Sequence, residues 1–162
     1  MKHLKFLFLA VLAVAFIACD NDEPKDEGNN GNNGNNVTVN VTEGTYVGTV
    51  SVNQNDGTSY KQENITVEIL KTDDSTMTLT MKKVKFAERM PITLDMVIAG
   101  IATESTADEM KITGDSIIPV AMGGPFPQYT VTGFEGKVTN EAISCSMKCG
   151  EYPLTFSGVA QK

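Results

Sequence analysis

Two thiols in the last fifth of the chain are spaced closely enough to suggest joint chemistry. Cys145 and Cys149 lie in a stretch of alternating apolar and polar residues, so a β-strand would place both on the face of Ile143 and Met147. Their Cα atoms would then be about 13 Å apart, whereas a disulfide needs them within roughly 7 Å. We therefore expect two buried free thiols. The alternatives are a disulfide across a bend at Gly150 and a redox or metal-binding pair.

Acid–base chemistry has few candidates in this sequence. The only histidine is His3, which removes Ser-His and Cys-His catalytic pairs from the rest of the chain. Glu88 with Glu104 or Asp95 could form the carboxylate pair of a glycosidase, although nothing in the sequence brings these side chains together. The sequence has no Gly-rich phosphate loop and no metal-ligand spacing. We expect no catalytic residue, no cofactor and no metal site, and hence a protein that is not an enzyme.

A third cysteine, Cys19, follows a segment with the features of a secretion signal. Lys2 and Lys5 form a basic start, and residues 6–18 are apolar and uncharged. As a helix this run is about 20 Å long, too short for the roughly 30 Å hydrocarbon layer of a membrane. Ala18 and Cys19 match the end of a bacterial lipoprotein signal. We predict that residues 1–18 are that signal and that acylated Cys19 anchors the protein in a membrane; an ordinary signal peptide with a chance cysteine is the alternative.

The residues behind Cys19 have the composition of a flexible tether. Residues 20–27 are mostly acidic, and residues 28–36 contain only Gly and Asn, so they cannot bury apolar surface to offset the entropy of ordering. Acidic residues directly behind a lipidated cysteine resemble the surface-export signal of lipoproteins from gut anaerobes with two membranes. The resemblance implies an outer-membrane protein facing the cell exterior; the alternative is a plain solvated linker. We assign the tether to residues 19–36 and one folded domain to residues 37–162.

The charge balance of the mature chain limits its partners. Without residues 1–18, the chain carries 11 basic and 20 acidic side chains, a formal charge near −9. Nucleic-acid binding needs a basic footprint on the protein surface. We therefore expect no nucleic-acid partner.

Hydrophobic alternation runs through almost all of the domain. Residues 65–69 and 77–81 have apolar side chains at odd positions and polar ones at even positions, which is typical of half-buried strands. Turn signals such as residues 55–57 (Asn-Asp-Gly) separate these stretches. The pattern predicts nine strands, and residues 102–109 are the one place where a short helical turn could lie. The strands are at residues 45–54, 59–71, 76–87, 92–101, 109–113, 116–122, 128–139, 142–149 and 152–160.

The short connections between strands predict an all-β fold, an antiparallel up-and-down meander of about eight or nine strands. Between Met81 and Val84 the apolar parity changes, which predicts a bulge at Lys82 or Lys83 that bends the strand. Closure into a barrel would remove the exposed edges of the sheet. A two-sheet sandwich is the alternative.

Four short motifs resemble those of the calycin-like, or lipocalin-like, surface lipoproteins of gut anaerobes. They are residues 44–48 (Gly-Thr-Tyr-Val-Gly), 77–81 (Met-Thr-Leu-Thr-Met), 98–101 (Ile-Ala-Gly-Ile) and 154–158 (Leu-Thr-Phe-Ser-Gly). The resemblance implies a lipocalin/calycin-like barrel. In true lipocalins a Gly-x-Trp opens the first strand, and its Trp plugs the barrel floor against a late Arg. Here Tyr46 stands in the Trp position and no arginine follows Arg89.

The same resemblance implies a barrel that holds a small apolar or amphiphilic ligand, or a glycan at its mouth. Methionine is a pliable lining for such a site. Phe126 and Tyr129 lie in a proline-stiffened loop that could form the mouth. The alternatives are a core filled by methionine and a loop packed over the barrel end, which would leave a solid scaffold for protein–protein interaction, as an adhesin or an inhibitor. Several of the methionines fall on predicted inward faces, and the candidate ligand or mouth residues among them are Met77, Met81, Met96 and Met122.

Overall fold

A closed antiparallel β-barrel of eight strands dominates the part of the chain that the computed structural model describes, residues 39–162. Each strand of the barrel pairs with the next, and β10 pairs with β1 to close the ring. Two short strands, β6 and β7, form a hairpin beside the start of β4 and stand outside the closure. The ten strands are β1 (Glu43–Asn53), β2 (Ser59–Lys71), β3 (Thr76–Val84), β4 (Leu94–Ser105), β5 (Met110–Gly114), β6 (Val120–Ala121), β7 (Gly124–Pro125), β8 (Val131–Val138), β9 (Ala142–Cys149) and β10 (Tyr152–Ala160).

This all-β meander confirms the predicted fold class, and its closure is the one that the resemblance to calycin-like proteins implies. In β9, every second side chain from Ile143 to Cys149 is buried and those between are exposed, as the period of a strand requires. β2, β9 and β10 have the predicted bounds. The signal peptide, Cys19 and the tether lie outside the described residues.

Residues 102–109 form no helical turn, and the strand predicted to end at residue 101 continues beyond it. β4 continues to Ser105 and pairs with β5, from Ala102 opposite Thr113 to Ser105 opposite Met110. A polar run misled the prediction because it lies at one end of the barrel, where both faces of the strand reach solvent. The turn that follows β4 is tight, with the Thr106 N–H donating to the Glu109 carbonyl at 2.9 Å.

The strand predicted at residues 116–122 is reduced to β6. Ser116 and Met122 have positive φ angles, of 55° and 53°, which interrupt extended structure on both sides of β6. Met122 and Gly123, whose φ is 84°, form the turn of the β6–β7 hairpin. The strand predicted from residue 128 begins only with β8, because a short 3-10 helix occupies Pro127–Tyr129. No helix within residues 39–162 has the length and apolar character needed to cross a membrane.

The bulge predicted in the third strand is confirmed at Lys83. Its φ is 56°, and the pairing of β3 with β4 slips between Met81 and Val84. The Lys83 N–H turns to the side chain of Asp95 and donates to its Oδ1 at 2.8 Å. The extra residue bends β3, which helps the sheet to curve into a closed barrel.

The two ends of the barrel carry different loops. At the entry end, where β1 begins, the Val39 N–H donates to the Thr106 carbonyl at 2.7 Å. Tyr46 closes this end: its ring is 1% exposed and its hydroxyl donates to the Thr139 carbonyl at 2.9 Å. The opposite end, the mouth, carries the loops at residues 54–58, 85–93 and 115–130 and the turn at residues 150–151.

Candidate functional site

The interior of the barrel is filled by side chains. Met77, Met81 and Met96 are 0% exposed, as are Leu79 and Ile98. A void that could hold a water molecule would leave accessible surface on the side chains around it, so these five residues border no such void. The three methionines occupy the core-filling positions that the sequence left as an alternative to a ligand lining. Contact between them and a ligand stays a prediction.

Met122 lies outside the interior. Its side chain is 74% exposed at the turn of the β6–β7 hairpin. It belongs to the mouth loops and not to an inward strand face, because residues 116–122 do not form one alternating strand. Contact between Met122 and a ligand stays a prediction.

Aromatic rings cover the core at the mouth. Phe86 stacks on Tyr129 with ring centroids 4.3 Å apart, and Phe126 lies 5.1 Å from Tyr129. Tyr152 completes the group, 6.1 Å from Phe86. Burial, and then the nearby Tyr152 and Cys149, raise the pKa of Tyr129. Phe126 and Tyr129 are half-buried in this group, so their loop packs over the barrel end instead of displaying two free rings.

Cys145 and Cys149 are free and buried, as the strand spacing predicts. Burial raises the pKa of each thiol from an ordinary value of 9.0 to about 12. A thiol that stays protonated is a poor nucleophile and a poor metal ligand. In the described part of the chain, no group of three or more His, Cys, Asp or Glu side chains could hold a metal ion.

The carboxylates considered for glycoside cleavage are dispersed over the barrel. Asp95 and Glu104 lie near opposite ends of β4, roughly 30 Å apart along the strand. Asp95 is engaged at the bulge, where Oδ2 also lies 3.9 Å from Lys82 Nζ. Glu88 lies in the loop after β3, at the mouth. Glu104 is therefore at the opposite end of the barrel from Glu88.

A cleft of about 750 Å³ opens at the mouth between two loops. One wall is the β1–β2 loop with the start of β2, and the other is the loop after β3. Two hydrogen bonds connect these segments: Gln54 Nε2 donates to the Phe86 carbonyl at 2.6 Å, and the Lys85 N–H donates to Gln62 Oε1 at 2.8 Å. This mouth cleft is lined by Gln54, Asp56, Thr58, Ser59, Tyr60, Lys61, Ala87, Glu88 and Arg89.

The mouth cleft presents polar and charged groups beside one aromatic ring, that of half-buried Tyr60. Asp56 Oδ1 accepts hydrogen bonds from Thr58 Oγ1 at 2.6 Å and Thr58 N at 2.8 Å. These two bonds, the hydroxyl one first, lower the pKa of Asp56. The lining offers both donors and acceptors, which suits a ligand with many hydroxyl groups.

Comparisons with known proteins give no relative from which the role of this site could be inferred. No protein-family model, curated protein or solved structure matches the chain. The assignment of the mouth cleft therefore depends on the residues that line it and on the loops that hold them.

The mouth cleft was not predicted from the sequence. Residues 55–57 carry a clear turn signal and Arg89 is the sole arginine, but these positions lie far apart in the chain. Only the folded meander brings the two loops to the same end of the barrel. The contact between them has no sequence signature, because Gln54 bonds to a backbone carbonyl, which every residue possesses.

Proposed function

We propose that this protein is a surface lipoprotein of the calycin-like kind whose barrel binds a glycan at the mouth cleft. In this proposal, acylated Cys19 anchors the chain in the outer membrane and residues 19–36 form the tether. The barrel faces the cell exterior. Its role is to bind a ligand without transforming it.

One observation carries the proposal: a polar cleft lies at the end of the barrel remote from Val39. A chain anchored ahead of Val39 leaves that end free to face away from the membrane. From their composition we expect the eighteen residues from 19 to 36 to behave as a flexible coil, which would span about 20 to 25 Å root-mean-square. That distance would clear the lipid head groups and give the mouth access to large external glycans.

The lining of the mouth cleft favours a sugar over an apolar ligand. The amide nitrogen of Gln54 is held by the Phe86 and Val52 carbonyls, but its Oε1 can accept a hydrogen bond from a sugar hydroxyl, and the Arg89 guanidinium can donate to one. The ring of Tyr60 offers an apolar face. The interior has less to offer an apolar ligand, because Met77 and Met81 are 0% exposed.

The ligand can be tested by screening the lipidated chain, purified in detergent, against a panel of oligosaccharides. Titration calorimetry then measures the best ligand against two variants. We expect Tyr60→Ala to weaken binding by about tenfold or more, because the sugar loses the ring it packs against. The control is Leu70→Ala, an exposed position on the same strand at the entry end, which should bind as the parent does. A chain that binds no oligosaccharide would contradict the proposal.

The anchor needs a separate test. Cells expressing the protein with an alkyne-tagged fatty acid should label the parent chain but not Cys19→Ala. Protease added to intact cells should remove the parent barrel from the surface. Complete protection of the barrel in intact cells would count against exposure on the outer face.

A second candidate function is protein–protein interaction through the β6–β7 hairpin. Three apolar side chains protrude at or beside it: Ile118 is 53% exposed, Val120 43% and Met122 74%. Clustered exposed apolar residues often mark interaction surfaces. If this hairpin is the functional surface, a photo-crosslinker at position 122 should trap one protein partner on intact cells. The Val120→Ser variant should then lose that product, while Tyr60→Ala should keep it.

A further inference from the structure

The mouth cleft contains two basic side chains that have no acidic partner among residues 39–162. Arg89 lines it from the loop after β3, and Lys61 lines it from β2. Ion pairs within residues 39–162 join Lys82 to Glu68 and Asp95, and Lys137 to Glu109. Arg89 and Lys61 take part in none of them.

The two acidic residues of the same cleft, Asp56 and Glu88, form no ion pair with these cations. Oδ1 of Asp56 accepts hydrogen bonds from the hydroxyl and the N–H of Thr58 within the β1–β2 loop. Glu88 precedes Arg89 in the chain and is exposed, and it also forms no ion pair among the described residues. Glu88 is thus available to accept hydrogen bonds from ligand hydroxyls, while the two cations are available for an anionic group.

We infer that the glycan bound in the mouth cleft is acidic, with a sugar carboxylate or sulfate held by Arg89 and supported by Lys61. A guanidinium matches such a group with two parallel N–H donors, which an ammonium cannot do. The cleft, at about 750 Å³, is far larger than a free anion needs, so the anion belongs to a larger, hydroxyl-bearing molecule. This inference depends on the proposed glycan-binding function and narrows it to one class of ligand.

The experiment uses the lipidated chain in detergent and oligosaccharides of one length in three forms: oligogalacturonate, neutral oligogalactose and sulfated oligogalactose. Calorimetry at low and at physiological salt measures each affinity. At least one acidic form should bind about tenfold or more tightly than the neutral form, and high salt should weaken its binding. The form that binds better distinguishes a carboxylate from a sulfate.

Three variants separate the role of Arg89 from general charge. Arg89→Gln should remove the preference for the acidic sugar and bring its affinity to that of the neutral one. Arg89→Lys should restore only part of the preference, because it keeps the charge but loses the two-donor geometry. Lys83→Gln removes an exposed cation at the same end of the barrel but outside the cleft. It should leave the affinities for the acidic and the neutral sugar unchanged.

These measurements distinguish failure of the acidic-ligand inference from failure of the proposed glycan binding. Equal binding of neutral and acidic sugars, unchanged in Arg89→Gln, would overturn the acidic ligand and leave glycan binding intact. Inorganic phosphate or sulfate that binds as tightly as the acidic sugar would show that Arg89 takes free anions and would overturn the assignment to a sugar. Absence of binding by all three sugars would overturn both this inference and the proposed function.

Discussion

Tyr46 joins two elements at the entry end through a single buried hydroxyl. Its bond to the Thr139 carbonyl is 2.9 Å long, and burial raises the pKa of Tyr46. We expect Tyr46→Phe to lower the free energy of unfolding by about 1 kcal/mol, because the Thr139 carbonyl loses its donor. Urea unfolding followed by circular dichroism measures this, with Tyr60→Phe at the half-exposed ring in the mouth as the control. Equal stabilities for the two variants would contradict the role assigned to Tyr46.

Because the two thiols are buried, the free energy of unfolding should fall as the pH becomes alkaline. The pKa of Cys145 rises from 9.0 to about 12 in the folded barrel, so the unfolded chain loses this proton first. The stabilising contribution is therefore complete below about pH 9 and is lost as the pH rises from about 9 to about 12. We expect the Cys145→Ala variant to lose less stability than the parent between pH 8 and 10.5, measured by urea unfolding at each pH. Parallel pH curves for parent and variant would show that the thiol is not the titrating group.

At the scale of elements, β1 and β10 approach so closely that one position accepts only glycine. Gly48 lies opposite Gly158, and a Cβ on Gly48 would overlap the Ser157 carbonyl and the Gly158 Cα. We expect Gly48→Ala to destabilise the barrel by about 2 kcal/mol or more, because backbone atoms of β10 would have to move. Gly124→Ala is the control, since a Cβ there meets no atom within 4 Å. Thermal unfolding should separate the two variants, and a Gly48→Ala barrel as stable as the control would show that β10 can yield.

The sequence predicted strands accurately where alternation and turn chemistry agree. β2, β9 and β10 have the predicted bounds because turn residues precede each of them and alternation is clear along β9 and β10 and in residues 65–69 of β2. The prediction failed at residues 116–122, where Met122 takes a positive φ of 53°. That conformation is typical of Gly, Asn or Asp, so a methionine gives no warning of a turn. β4 was cut short for a different reason: its polar residues pair with β5 at the solvated end of the barrel.

At the scale of the molecule, closure decides which residues share a site. Alternation predicted the buried faces of Met77, Met81 and Met96 correctly, since it depends on each strand alone. It could not predict the mouth cleft, which exists because two loops from separate parts of the meander are bound to each other. Gln54 holds the Phe86 carbonyl only after strands β1, β2 and β3 have paired. The sequence therefore specified the wall of the barrel better than it specified the recognition surface at its end.

The filled interior determines how the whole barrel responds to loss of core volume. Met81 is 0% exposed, whereas Met122 is 74% exposed at the hairpin turn. We expect Met81→Ala to lower the free energy of unfolding by about 2 to 5 kcal/mol, because the closed ring of strands cannot collapse into the space left behind. Met122→Ala makes the same chemical change on the surface and should stay within about 0.5 kcal/mol of the parent. Urea unfolding of the three proteins gives both values. If Met81→Ala lowers the free energy of unfolding by less than about 1 kcal/mol, the core is loosely packed and the interior becomes a candidate ligand site again.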